Sequence, residues 1–249
     1  MMVVTAVLVS RYGNRKKKPG NNLHEATTGK IASKATTAGN DDLGRWSYIT
    51  TQGRGGRKIT YVTAYQPCDN QRSGPNTWWS QLYRAMLKRG DKDPKPRAAL
   101  IMKDLESFLQ GLRSETGHYI VLGIDANERM LPTSMIDDLR LKCELVDPQD
   151  ELHGKTESPS YARGSHKIDR VLISSELLPA VKTAGTLGHH DLGIVSDHMG
   201  IFVTFDEEKL YRGTIADLLK VENRDVVLVS MVGNLAQFEM GGVSTLGFF

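Results

Sequence analysis

Residues 119–130 read YIVLGIDANERM, an apolar run that stops at an acid. The run before Asp125 is rich in β-favouring side chains, which predicts a buried strand. Asp125, Asn127 and Glu128 follow it directly. Such residues often cap a turn through local hydrogen bonds, but a strand end is also a rigid support for a catalytic carboxylate. The stretch is therefore consistent with a turn or with part of an active site.

The sequence on either side of this strand predicts a layered α/β arrangement. Residues 46–64 hold two β-rich runs joined by GRGG, the pattern of an antiparallel hairpin. Apolar spacing predicts helices over residues 76–90, with Asn76 as N-cap, and over residues 97–115. Further strands are expected at residues 1–9, 166–174, 181–188 and 200–205. After these, EEKLYRGTIADLLK is consistent with a helix and DVVLVSMV with a strand.

The composition is that of an ordinary globular chain of 249 residues, with 39% hydrophobic and 24% charged residues. The net charge is only +3, but residues 11–34 carry seven Lys or Arg against one acid, Glu25. This basic stretch is consistent with a solvated arm or with a segment that meets phosphate.

The cysteines and the N-terminus indicate an intracellular protein, cytoplasmic or nuclear. Cys68 and Cys143 lack partners at zinc-ligand spacing, and two cysteines in a chain of this length make no disulfide framework. Residues 1–9 are too short to span a bilayer, and their charges follow the apolar run instead of preceding it. Neither a signal peptide nor a membrane partner is expected.

Four short patterns place polar residues at or beside the end of an apolar strand. They are VTAYQP with Tyr65, VLGIDAN with Asp125 and Asn127, SHKIDRVLI with Asp169, and GIVSDHMGIFV with Ser196, Asp197 and His198. Phosphodiester hydrolysis needs a carboxylate to orient or deprotonate water, donors for the developing charge, and oxygen ligands for a divalent cation. Asp125 suits the first task, and a His198 ring held by Asp169 suits the second. Asp197 is then available to help hold a metal.

Taken in order, AYQP, GIDAN, HKIDRVLIS and SDHMG resemble the later motifs of the endonuclease/exonuclease/phosphatase superfamily, the deoxyribonuclease I-like enzymes. The resemblance covers residues 45–205 and implies an α+β fold, a two-sheet β-sandwich flanked by helices. Residues 206–249 would be a C-terminal extension of unassigned role. Within the superfamily, the region from residue 41 to Cys68 resembles the endonuclease-like domain of retroelements.

The resemblance also implies roles for the matching residues. Asp125 would activate water with Asn127 as its amide partner, and Tyr65 would contact phosphate. Asp169 would orient His198. The implied metal ligands, for Mg²⁺ or Mn²⁺, are Asp125, Asn127, Asp197 and His198. His166 and Lys167 stand where the family often has an Arg, and each is either a phosphate contact or part of a surface basic pair.

The first third of the chain departs from the family pattern. The family places an Asn on its opening strand and a metal-binding Glu at the end of a following strand, and neither is found in that setting here. Glu25 follows no apolar run and therefore does not match the family Glu. A carboxylate from elsewhere could replace that Glu as a metal ligand, and the two candidates are Glu25 and Glu128. The sequence is accordingly expected to be truncated at its N-terminus, with an incomplete sandwich.

Three functions follow as hypotheses. The first is a magnesium-dependent endonuclease of retroelement type, acting on nucleic acid and in particular on DNA. The second is an inactive domain of the same fold that binds nucleic acid or has degenerated. The third keeps the fold and acts as a phosphatase on small phosphoesters or inositol lipids.

Overall fold

A computed structural model describes residues 3–8, 25–27, 35–53, 55–66, 74, 77–90, 92, 98–155, 158–188, 197–211 and 243–248. Two β-sheets form the centre of this part of the chain. The larger sheet consists of β3 (Ala35–Asn40), β4 (Trp46–Gln52), β5 (Lys58–Tyr65), β6 (His118–Asp125), β7 (Leu145–Val146) and β8 (Asp169–Ser174). Its spatial order is β3, β4, β5, β6, β8, β7.

The smaller sheet brings together both ends of the chain. Its strands are β1 (Val3–Leu8), β2 (Glu25–Thr27), β9 (Val181–Leu187), β10 (Gly200–Asp206) and β11 (Val243–Phe248). They lie in the order β2, β11, β1, β10, β9. β1 runs antiparallel to β10 on one side and parallel to β11 on the other.

The side chains of the larger sheet alternate between two buried layers, and one of these layers packs face to face against the smaller sheet. On β6, Val121 points into the core between the sheets, together with Val171 of β8 and Val203 of β10. Its neighbours Ile120 and Leu122 point the other way, into a second core under the helices. A strand covered on both faces is apolar at every position, which explains the continuous run that precedes Asp125.

Helices flank the two sheets. They are α1 (Trp78–Arg89), α2 (Ala98–Arg113), α3 (Met135–Lys142), α4 (Pro148–His153) and α5 (Glu207–Tyr211), with a 3₁₀ helix at Ser175–Ala180. Leu105 and Leu109 of α2 and Ile136 and Leu139 of α3 pack on the outer face of β6. The expected fold class, two sheets flanked by helices, is confirmed.

Local details refine the sequence expectations. The hairpin predicted over residues 46–64 is formed by β4 and β5, and Gly56 takes a positive φ of 77° in its turn. The N-cap of α1 is Thr77, whose hydroxyl accepts the amide hydrogen of Ser80, while the proposed cap Asn76 lies outside the described residues. α1 ends at Gly90, as the sequence predicts, and this glycine takes the left-handed conformation.

The segment after residue 205 contributes to the core. Leu210 and Tyr211 of α5 are buried between the sheets, and the Tyr211 hydroxyl lies 2.8 Å from that of Thr51. The strand proposed over residues 225–232 and most of the basic stretch 11–34 fall outside the described residues. Among the described helices, none is long and apolar enough to cross a membrane.

Candidate active site

Three of the candidate residues form one row across the larger sheet. Tyr65 is the last residue of β5 and lies in register with Asp125, the last residue of β6. Asp125 in turn pairs with Asp169, the first residue of the antiparallel strand β8. Because side chains alternate along a strand, all three share the face that carries Tyr61, Val121 and Val171 into the core between the sheets. The row therefore lies at one end of the sandwich and on its inner side.

His198 reaches this row from the smaller sheet, two residues before β10 begins. Its Nδ1 atom lies 2.8 Å from Oδ2 of Asp169, and both side chains are almost completely buried. The His198 backbone forms an isolated β-bridge with Tyr161, and the two rings are 4.9 Å apart. Oδ1 of Asp169 is buried and has no hydrogen-bond partner among the described residues.

The charges around His198 favour its protonated form. Burial acts most strongly on this ring and by itself would lower its pKa. The hydrogen bond and the charge of Asp169, with the charges of Asp125 and Asp197, outweigh that effect and raise the pKa of His198 above its ordinary value. The ring is thus held in one orientation and biased towards a positive charge.

Asn127 is fixed beside Asp125 by its backbone conformation. It has a positive φ of 48°, and its amide hydrogen is donated to Oδ1 of Asp125 at 3.1 Å. Its side-chain Nδ2 donates to the carbonyl oxygen of Gln66 at 2.6 Å. The amide of Gln66 donates to the Asp125 carbonyl oxygen at 2.9 Å. The turn after β6 and the segment after β5 are therefore tied together around the Asp125 carboxylate.

The donor atoms of Asp125, Asp169 and His198 all lie within 4.8 Å of one another. Among the described residues, this is the one group of acidic, histidine or cysteine side chains close enough to hold a metal ion. The unpaired Oδ1 of Asp169 and the two carboxylates fit a small divalent cation, which prefers oxygen ligands.

The structure does not bring the carboxylate of Asp197 into this group. Oδ2 of Asp197 lies 3.4 Å from the Arg163 guanidinium, and about a third of the side chain is exposed. Its carbonyl oxygen accepts the amide hydrogen of Ala162. Asp197 is adjacent to the site and contributes to its negative potential, and its role as a metal ligand remains a prediction.

The prediction that Lys167 contacts a phosphate is wrong. Its side chain is buried, and its Nζ lies 3.0 Å from Oδ2 of Asp147 and 3.4 Å from Oδ1 of Asp150. Arg170 binds the same two carboxylates at 2.7 and 3.2 Å. Lys167 is therefore neutralised inside the protein. His166, by contrast, is exposed.

The two candidates for a substitute carboxylate lie elsewhere. Oε1 of Glu128 accepts the amide hydrogen of Ile136 at 2.6 Å, which caps the first turn of α3. Burial raises the pKa of Glu128. Glu25 begins β2, where it pairs with Phe248 at the outer strand of the smaller sheet. Glu128 is not part of the described metal-binding group, and the substitution of the missing Glu by Glu25 stays a prediction.

Sequence reasoning missed Ser160, Tyr161 and Gln66 as parts of the site. Ser160 is fully buried, and its hydroxyl accepts the amide hydrogens of Ile168 and Asp169. Nothing in the stretch SPSYARG marks this serine, because a buried and a loop serine look alike in sequence. In the sequence, only polar residues at or beside the ends of apolar strands could be recognised as candidates for the site.

Comparisons with known proteins identify the fold. The structure resembles an AP endonuclease from Archaeoglobus fulgidus and the 3' phosphatase NExo from Neisseria bound to a product DNA hairpin. Sequence identity is 13% and 14%, and each likeness has a TM-score of 0.51 and covers 83% of this chain and 100% of the other. For the AP endonuclease LMAP from Leishmania major, with 13% identity and a TM-score of 0.45, 66% of this chain is covered and the chain spans 55% of that protein.

No family pattern matches the sequence, and no curated protein is significantly similar to it. The likenesses to solved structures establish the fold, which is deoxyribonuclease I-like. At the level of the fold, the resemblance of the sequence motifs is thereby confirmed.

Proposed function

We propose that this chain hydrolyses phosphodiester bonds with the help of a divalent cation, as a nuclease whose substrate is DNA. The observation that carries the proposal is the buried group of Asp125, Asp169 and His198 at the end of the sandwich. Burying two carboxyl groups and an imidazole next to one another costs free energy, and such groups are typical of sites that bind a ligand or catalyse a reaction. The fold, shared with an AP endonuclease and a DNA-bound 3' phosphatase, supports the same reaction class.

Asp125 and Asp169 would hold the cation, with Asn127 and Asp197 as further candidate ligands. Bound there, Mg²⁺ or Mn²⁺ would lower the pKa of a water molecule and offset negative charge on a phosphoryl group. Asp125 stands beside that position with its Oδ1 already accepting the Asn127 amide. This hydrogen bond fixes the carboxylate so that it can orient or deprotonate a water molecule.

His198 would stabilise the charge that develops on the phosphoryl oxygens. Because Nδ1 is bonded to Asp169, the ring would act through Nε2. The raised pKa of His198 favours the imidazolium form, and a charged donor binds an anionic oxygen more strongly than a neutral one. Tyr65, at the neighbouring strand end, would contact the same phosphate from the side of β5.

The substrate class is proposed from the surroundings of the site. Arg163 is 78% exposed and His166 is also exposed, both in the loop that leads to Asp169. Exposed basic residues next to a phosphodiester site suit the backbone of a nucleic acid. The motif resemblance to retroelement endonuclease-like domains supports DNA as the polymer and an intracellular location.

One observation favours a non-catalytic alternative. The Asp197 carboxylate is paired with Arg163 and lies outside the metal-binding group, so the described residues offer two carboxylates to the cation. A cation held by fewer carboxylates is bound less tightly. A domain of this kind would bind nucleic acid without cutting it.

The substrate proposal is tested with three matched substrates and the full-length chain. Labelled duplex DNA, RNA of the same sequence and an inositol phosphate are each incubated with Mg²⁺, alongside the Asp125→Asn variant as control. We expect cleavage of DNA that is lost in the variant. Phosphate release from the inositol compound with intact DNA would contradict the nuclease assignment.

The same preparation separates binding from cutting. Binding to DNA is measured as a function of monovalent salt, and a steep fall in affinity with salt is expected if phosphates are contacted. Tight, salt-dependent binding with no cleavage at any metal concentration would contradict the proposed nuclease activity and support the non-catalytic alternative.

A further inference from the structure

The catalytic pair proposed above is assembled from two distant parts of the chain. Asp169 starts β8 of the larger sheet, and His198 precedes β10 of the smaller sheet. Their hydrogen bond at 2.8 Å depends on how these two segments lie relative to each other. A third element that contacts both segments would fix that geometry.

Ser160 contacts both segments. Its hydroxyl oxygen accepts the amide hydrogens of Ile168 at 2.9 Å and Asp169 at 3.0 Å. Its carbonyl oxygen accepts the amide hydrogen of Met199, the residue after His198, at 2.7 Å. The residue is fully buried.

Both hydrogen bonds near Asp169 are accepted by the hydroxyl oxygen of Ser160. A hydroxyl oxygen has two lone pairs, and here each faces a backbone amide. The amide of Asp169 is thereby satisfied by a side chain. If the hydroxyl were absent, the buried amide of Asp169 and the partly buried amide of Ile168 would lose this acceptor, and the start of β8 would shift to find another.

The adjacent residue strengthens the connection to His198. Tyr161 forms the isolated β-bridge with His198, and its ring lies 4.9 Å from the imidazole. The next amide along, that of Ala162, donates to the carbonyl oxygen of Asp197 at 2.8 Å. Residues 160–162 therefore pair along 197–199 while the Ser160 hydroxyl holds the start of β8.

We propose that Ser160 is a positioning residue for the proposed hydrolysis: it sets the Asp169–His198 hydrogen bond by binding the backbone of both segments. It touches neither the substrate nor the cation. The kinetic part of this inference rests on the proposed function, whereas the ring orientation of His198 can be measured without any activity.

The chain offers a matched control on the same strand. Ser174, at the far end of β8, is also fully buried, and its hydroxyl accepts one backbone amide hydrogen, that of Ile120, at 2.9 Å. Ser174→Ala and Ser160→Ala each remove a buried hydroxyl acceptor. Only the second variant removes an acceptor next to Asp169. Ser160→Thr keeps the hydroxyl and serves as the conservative variant.

The first readout is the tautomer of His198, measured by ¹⁵N NMR in metal-free protein at a pH where the ring is neutral. The signal is assigned by its disappearance in His198→Gln. The parent chain, Ser174→Ala and Ser160→Thr are expected to carry the proton on Nδ1, since Asp169 accepts it. Ser160→Ala is expected to show a mixture of both tautomers.

The second readout is DNA cleavage at saturating Mg²⁺. Residues that orient catalytic groups from behind typically change activity by about 10–100-fold, so kcat of Ser160→Ala should fall by at least about tenfold. KM should stay within about twofold, because the substrate contacts are intact. A parent chain that cuts no DNA would refute the proposed function, and the tautomer would still decide the role of Ser160. A single Nδ1–H tautomer in Ser160→Ala, unchanged from Ser174→Ala, would overturn the positioning role.

Discussion

The substitution Asp147→Asn tests how much the buried charges behind the site contribute to stability. Oδ2 of Asp147 accepts from Lys167 at 3.0 Å and from Arg170 at 2.7 Å, and all three side chains are at most 4% exposed. Asn has the same shape and keeps the acceptor that caps α4 through the amide of Gln149 at 3.0 Å. The substitution therefore removes the charge and replaces the Oδ2 acceptor by an amide NH₂ group that faces Lys167 and Arg170.

The expected magnitude follows from what the charge leaves behind. Lys167 and Arg170 would share Asp150 alone, at the longer distances of 3.4 and 3.2 Å. Removing one partner of a buried ion pair typically costs about 3–5 kcal/mol, because an uncompensated charge stays in the interior. For a chain of this size the melting temperature changes by about 2–4 °C per kcal/mol, so a decrease of about 6–20 °C is expected.

The assay is thermal denaturation followed by circular dichroism, with Glu115→Gln as control. Glu115 lies 2.8 Å from Lys58, as close as the buried pair, but its side chain is 53% exposed. If burial decides the cost, Asp147→Asn lowers the midpoint strongly and Glu115→Gln leaves it nearly unchanged. Equal shifts for the two variants would refute the reasoning, because distance alone would then set the cost.

Three further predictions concern individual side chains. His198→Ala should abolish DNA cleavage without unfolding the chain, and a variant that cuts at the parent rate would exclude His198 from the chemistry. Glu128→Gln should leave the Mg²⁺ concentration for half-maximal cleavage unchanged, because Glu128 caps α3 at the amide of Ile136. A higher Mg²⁺ concentration for half-maximal cleavage in the variant would show that Glu128 holds the metal. Burial lowers the pKa of His118, so the unfolded chain binds this proton more tightly and stability is lost as pH falls below about 6.5. In His118→Gln the loss of stability on acidification should be smaller than in the parent, and an unchanged pH dependence would contradict this sign.

The strand ends were predictable from the sequence for a physical reason. A strand buried on both faces must be apolar at each position, so the polar residue where it stops is conspicuous. Tyr65, Asp125 and Asp169 were found in this way, and their alignment in one row follows from strand register. Only the structure shows that the row pairs with His198 from the other sheet.

The residues that support the row were not predictable. Ser160 binds Asp169, 9 residues away along the chain, and Asp147 binds Arg170, 23 residues away, and no local pattern encodes such a contact. The error at Lys167 has the same origin. A basic residue near a catalytic acid suits a phosphate contact in sequence, but Asp147 at the N-cap of α4 and Asp150 within α4 neutralise it in the core.

The most direct test of the central claim is nicking of supercoiled plasmid by the full-length chain with Mg²⁺, with a chelator, and in the Asp125→Asn variant. The account predicts nicking that requires the cation and is absent from the variant, while circular dichroism shows the same fold for both proteins. Nicking that persists in Asp125→Asn, or a well-folded parent chain that never nicks DNA at any Mg²⁺ or Mn²⁺ concentration, would contradict it.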